Sequence, residues 1–162
     1  MRLMDVSMAR LEKILKVRLA LETLAVQDVR AALAADPDAT ASLDGIVRRM
    51  HAAAKRGDRL GVAHCDTEFH HTLCELSGND VLVRTWETLS RQLTIIFGLS
   101  TLQKKPVEIA AEHDELLAAL RGKGSDRIDR LMEIHILEHS RALDYEGFGT
   151  RLRRRGPGLR TA

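Results

Sequence analysis

Apolar residues recur at three- and four-residue intervals along most of the chain, and the recurrence breaks at a few sharp polar or glycine-containing points. The first segment predicts a helix from about residue 9 to residue 35, with Leu11, Ile14, Val17, Leu21, Leu24 and Val29 on one stripe and an Asp36-Pro37-Asp38 turn at its end. A second begins near Thr40 or Ser42 and ends at Arg56-Gly57. A third takes Asp58 as its N-cap and stops at Ser77-Gly78-Asn79, where Gly78 suits a left-handed C-terminal cap. A fourth covers about residues 80–99, with Leu82, Trp86, Leu89, Leu93 and Ile96. Pro106 opens a fifth that ends at Arg121-Gly122-Lys123-Gly124, and Ser125 caps a sixth over about residues 126–145. Nothing reads as a strand, there is no internal repeat, and the connections are short, so the pattern predicts an all-α antiparallel helical bundle.

At 100° per residue the same stripes carry polar groups that do not belong on them. With Asp66 at the origin, Val62, Phe69 and Leu73 lie within about 60° on one side and His70 about 40° on the other. His64 and His71 fall about 140–160° away and face solvent. On the fifth helix His113 shares a face with Ile109, Leu116 and Leu120. On the sixth, His135 sits with Ile128, Leu131 and Ala142, and His139 follows on that stripe. Arg18 on the first helix is flanked by Leu11, Ile14, Leu21 and Ala25.

The composition leaves room for this. A chain of 162 residues and 18.1 kDa makes one domain with one core, and needs neither disulfide nor metal merely to fold. The two cysteines, Cys65 and Cys74, fall in one predicted helix about 13.5 Å apart along its axis, too far to pair, and read as buried thiols. The net charge of +2 hides an asymmetry: residues 147–162 hold five arginines and no acid, so residues 1–146 carry 2 minus 5, or −3. The expected division is a helical domain over 1–146 and a basic, disordered tail over 147–162. That tail lacks a recognition helix and stacking aromatics, so it does not read as a nucleic-acid site. No apolar run is long enough for a bilayer and no secretory signal opens the chain, which predicts a cytoplasmic protein without a membrane.

A carboxylate in an apolar interior needs a charged partner, hydrogen bonds or a metal. Asp66, His70, His113 and His135, one carboxylate and three imidazoles from three helices, suit a divalent transition metal, Zn²⁺ above all, with Ni²⁺ or Mn²⁺ as alternatives. Open positions on such an ion can accept a small organic acid, and the Arg18 guanidinium can hold that anion by a forked hydrogen bond. Arg18 has a competing partner in Glu22, four residues on. His139 reads as a pocket wall rather than a further ligand.

The stretches KVRLALETLA (16–25), DTEFHHTLCELSGNDVL (66–82), AEHDELLAAL (111–120) and MEIHILEH (132–139) resemble the C-terminal effector-binding domain, of the FCD type, of FadR-like regulators in the GntR transcription-factor family. The resemblance implies a bundle of six or seven helices, commonly a homodimer, whose central cavity holds a metal and a small carboxylate metabolite. It places the metal ligands on Asp66, His70, His113 and His135 and the effector contacts on Arg18 and Asn79, although a helix-end Asn also has a plain role as a turn residue. The family's N-terminal winged helix-turn-helix has no counterpart in these residues, so the expectation is a sensor fragment or a sensor acting through a partner, reaching DNA only through that other domain. The expected function is ligand sensing without catalysis. A metalloenzyme using the same four residues for hydrolysis or oxygen chemistry is the alternative; against it, Glu68 and Glu112 both point off their histidine faces and leave no placed general base.

Overall fold

A computed structural model describes the backbone of residues 8–142 and, within it, the side chains of residues 10–92 and 102–142. The predicted tail at 147–162 and the end of the predicted sixth helix, 143–145, lie outside the described residues. The helices are α1 (Met8–Ala35), α2 (Ala41–Lys55), α3 (Arg59–Leu76), α4 (Asp80–Gln103), α5 (Pro106–Arg121) and α6 (Asp126–Glu133). A π-turn (Ile134–Glu138) and a short α7 (His139–Arg141) continue α6 as one rod. Among the described residues there is no strand, and the fold is the all-α bundle the periodicity predicts.

Local chemistry fixes the ends. The Asp58 carboxylate accepts the Gly61 amide hydrogen at 2.9 Å, capping α3 as expected. Gly78 takes φ 69°, a left-handed value open to glycine without cost, and ends that helix. Asn79 Oδ1 then accepts the Leu82 N–H at 3.1 Å and starts α4. Pro106 occupies the first position of α5. Thr40 does not cap α2 with its side chain: its hydroxyl accepts from Arg121 Nε at 2.9 Å, while the same guanidinium forks onto Asp44 at 3.0 and 2.7 Å. The start of α2 is thereby tied to the end of α5. Arg30 on α1 donates to the carbonyls of Leu120 and Gly122 at 3.0 and 3.1 Å, meeting the negative end of α5.

α3 is the hub. It packs against α1, α2, α4 and α5, and the three-residue links to α2 and α4 make two helical hairpins. Val62, Phe69 and Leu73 belong to one buried core with Met50, Ile109, Leu116, Ile128, Met132, Leu15, Val26 and Trp86. Cys65 and Cys74 are buried and reduced, as the spacing predicts. Because α3 touches most of the other rods, polar groups on its inner face can meet partners from several of them.

Candidate metal centre

Asp66 and His70, one turn apart on α3, are both on the buried stripe; His113 of α5 is fully buried beside them, and His135 of the π-turn reaches the same point. Asp66 Oδ1 lies 3.1 Å from His113 Nε2 and 3.3 Å from His70 Nε2. His70 Nε2 lies 3.0 Å from His135 Nε2, and the donor atoms of all four residues fall within 4.8 Å of one another. The Phe69 ring meets the His70 and His113 rings edge-on at centroid distances of 5.5 and 4.9 Å, which packs the imidazoles in place.

The outer nitrogen of each histidine is engaged. His113 Nδ1 lies 2.8 Å from the Ile109 carbonyl, His70 Nδ1 2.7 Å from Glu22 Oε2, and His135 Nδ1 3.2 Å from Glu112 Oε2. A carbonyl and a carboxylate only accept, so each Nδ1 carries the proton, and in the neutral ring each Nε2 is a lone pair. With all three rings neutral, three lone pairs would face one another and a carboxylate oxygen; without a cation, a proton on His113 or His70 Nε2 bonds Asp66 instead. Acceptors at 3.0–3.3 Å repel unless a cation or a proton stands among them. Carboxylate or carbonyl behind imidazole is also the arrangement that orients metal-bound histidines. The donor chemistry, three nitrogens and one oxygen, fits a divalent transition metal.

Titration behaviour follows from the same contacts. Burial works to raise the Asp66 pKa, but the hydrogen bonds to His113 and His70 outweigh it and hold the carboxyl well below its ordinary value. Burial likewise opposes ionisation of Glu22, which Arg18 and His70 nevertheless lower to about 2. Burial pulls the His70 pKa down, yet the Glu22 carboxylate outweighs it and the pKa is raised. His135 moves the other way, pushed chiefly by burial to about 3, and is neutral.

Glu22 is the residue whose importance the sequence understated. It is fully buried and accepts from Arg18 Nε at 2.6 Å, His70 Nδ1 at 2.7 Å and the Trp86 indole at 2.8 Å, so one carboxylate joins α1, α3 and α4. The intrahelical Arg18–Glu22 pair is therefore formed, and Arg18 is buried at the centre as its angle predicts. Glu112 lies off the His113 face, as its angle predicts, yet it reaches histidines further along the chain. Its length carries Oε2 to His135 Nδ1 and to 3.2 Å from His139 Nδ1, with Lys104 on Oε1. Asn79 makes the helix-capping bond described above. His64 is exposed and His71 half-buried, paired with Glu87 at 3.2 Å.

The FCD domain family model matches residues 13–138, a span that contains every residue of this cluster. No curated protein and no solved structure matches the chain.

Proposed function

Because the chain belongs to the FCD domain family, the C-terminal effector-binding domain of GntR-family regulators, we propose that it senses a small carboxylate metabolite beside one divalent transition metal held by Asp66, His70, His113 and His135. One observation carries this reading: three imidazoles give Nδ1 to fixed acceptors and aim Nε2 at one point beside the Asp66 carboxylate. Zn²⁺ suits the donor set best, with Ni²⁺ or Mn²⁺ as alternatives. When bound, the cation supplies a Lewis-acidic point for an organic carboxylate. Arg18, buried on α1, supplies a planar guanidinium for the rest of that anion, and His139 stands at the outer side of the cluster.

The rods that meet here are α1, α3, α5 and the π-turn, so a ligand that prefers one arrangement of them shifts the bundle toward it. In a homodimeric complete regulator that shift would be read by the winged helix-turn-helix domains on DNA. Domains of this family are regulatory rather than catalytic. In keeping with that, the carboxylate of Glu112 is engaged with Lys104 and His135 instead of standing free as a general base. Among the described residues no helix is long and apolar enough to cross a membrane.

The test is thermal unfolding of metal-loaded protein against a panel of mono-, di- and tricarboxylates. An acid at about 100 times its Kd adds about 2.7 kcal/mol, or about 5–10 °C for a chain of this size, without turnover. Arg18→Lys, which keeps the charge beside Glu22 but loses the fork, should weaken that acid and leave the metal bound. No shift with any acid, or product formation that Asp66→Ala abolishes, would refute sensing.

A further inference from the structure

A second donor group adjoins the four-residue cluster and shares His135 with it. Glu112 Oε2 is 3.2 Å from both His135 Nδ1 and His139 Nδ1, and the donor atoms of the three residues lie within 4.8 Å of one another. The His139 contact lacks hydrogen-bond geometry, which leaves that buried nitrogen available to a different partner. Exposure falls steadily inward: 34% for the His139 side chain, 23% for Glu112, 11% for His135 and 0% for His70. The inner donors are closed to water, and a hydrated cation must reach them by some path.

His135 belongs to both groups, showing Nε2 to the inner one and Nδ1 to the outer. A neutral imidazole has one N–H to place. With the proton on Nδ1, it satisfies Glu112 and frees Nε2 for the inner set. With the proton on Nε2, it can donate to the Nε2 lone pair of a neutral His70 at 3.0 Å, and the Nδ1 lone pair joins Glu112 and His139 as three outward donors. The two states exclude each other, so a cation occupies one face of His135 at a time.

We infer that Glu112, His139 and His135 form an outer capture site that takes a divalent cation from water and passes it, across the two faces of His135, to Asp66, His70 and His113. The inference rests on the metal-centre reading above. The Lys104 ammonium on the other oxygen of Glu112 repels a cation there, which makes the outer site one of transit rather than storage. As the cation moves inward, the Nε2 proton of His135 leaves on a water that the cation carries and Nδ1 takes one from solvent on the outer side, so the proton count is unchanged. His135 lies within the π-turn and His139 directly follows it, a backbone irregularity frequent at functional sites.

Stopped-flow mixing of metal-free protein with Co²⁺, read by visible absorption, tests this. Wild type should show a fast phase whose rate rises with Co²⁺, followed by a slower phase independent of it. His139→Ala, at a partly exposed position, should remove the fast phase and slow uptake about tenfold, the scale on which loss of a supporting group acts at metal sites. A His70→Ala/His113→Ala protein that keeps its helical circular dichroism should still bind one Co²⁺ weakly, and lose it when His139→Ala is added. Uptake by His139→Ala at the wild-type rate overturns the inference, as does a wild type that holds two Co²⁺ at once. A wild type that binds no Co²⁺ at all sinks the metal-centre reading itself, a separate and earlier failure.

Discussion

Replacing Glu22 by Gln keeps the shape of the side chain and removes its charge. The carboxylate now accepts two charge-assisted hydrogen bonds, from Arg18 at 2.6 Å and His70 at 2.7 Å, and one neutral bond from Trp86 at 2.8 Å, all without exposure to water. Charge-assisted bonds contribute about 1.5–3 kcal/mol each and a neutral one about 1 kcal/mol. An amide keeps part of this, which puts the loss near the 3–5 kcal/mol typical of breaking a buried pair. About 4 kcal/mol corresponds to a melting temperature lower by about 8–16 °C. A second effect follows from the amide NH₂. Turned toward His70 Nδ1, it donates where the carboxylate accepted, moves the ring proton to Nε2, and removes a lone pair from the inner cluster. Metal affinity should fall about 10- to 100-fold, as for other groups that orient metal-bound histidines. Thermal melts in chelator give the first quantity and calorimetric titration with Zn²⁺ the second. Trp86→Phe, which removes only the indole donor, serves as the control and should leave metal affinity near wild type. A Glu22→Gln protein that melts within about 1 kcal/mol of wild type and binds Zn²⁺ equally well would refute the assignment of Glu22 as the group that positions His70.

Three further outcomes are expected. Metal binding must displace the proton favoured on His70, whose pKa is raised above 6.5 against its burial by Glu22, so affinity should begin to fall already above pH 6.5 as the solution is acidified; a flat profile from pH 8 to 6 in Zn²⁺ titrations contradicts this. Glu22 ionises at about 2 in the fold against an ordinary value of 4.5, so the unfolded chain takes up its proton first; the stability it confers is complete above pH 4.5 and declines as pH falls toward 2, visible as a falling melting temperature that Glu22→Gln lacks. Asp58→Ala deletes the cap on α3 and should cost about 1 kcal/mol in denaturant unfolding without changing metal affinity; a loss of affinity would mean that the N-terminus of α3 feeds into the centre.

Much of the architecture was written locally. Asp58, Gly78 and Pro106 mark their helix ends through bonds and dihedral preferences confined to a few neighbouring residues, and the structure puts each where the sequence predicts it. Asp66, His70 and His113 were legible for a related reason, because a stiff rod with a 100° step fixes which side chains face inward. What helix angles leave open also has a physical source. Helical angle gives the direction of Cα to Cβ and says nothing about reach, so placing Glu112 off the His113 face gives no sign of the histidine on another rod that its carboxylate touches. Glu22 looked like a local partner for Arg18, and its bonds to His70 and Trp86 join residues 48 and 64 positions apart, which no periodicity reports. The π-turn around His135 carries no signature in a pattern of period 3.6, since a single widened turn leaves the apolar spacing on either side of it helical.

X-ray absorption at the metal edge of protein purified without added metal or chelator tests the metal centre most directly. One equivalent of a divalent transition metal per chain, with three imidazole nitrogens and one carboxylate oxygen among its ligands and lost in Asp66→Ala, is the predicted result. Protein that stays metal-free after addition of Zn²⁺, Ni²⁺ or Mn²⁺, or a bound metal without imidazole in its coordination shell, would contradict it.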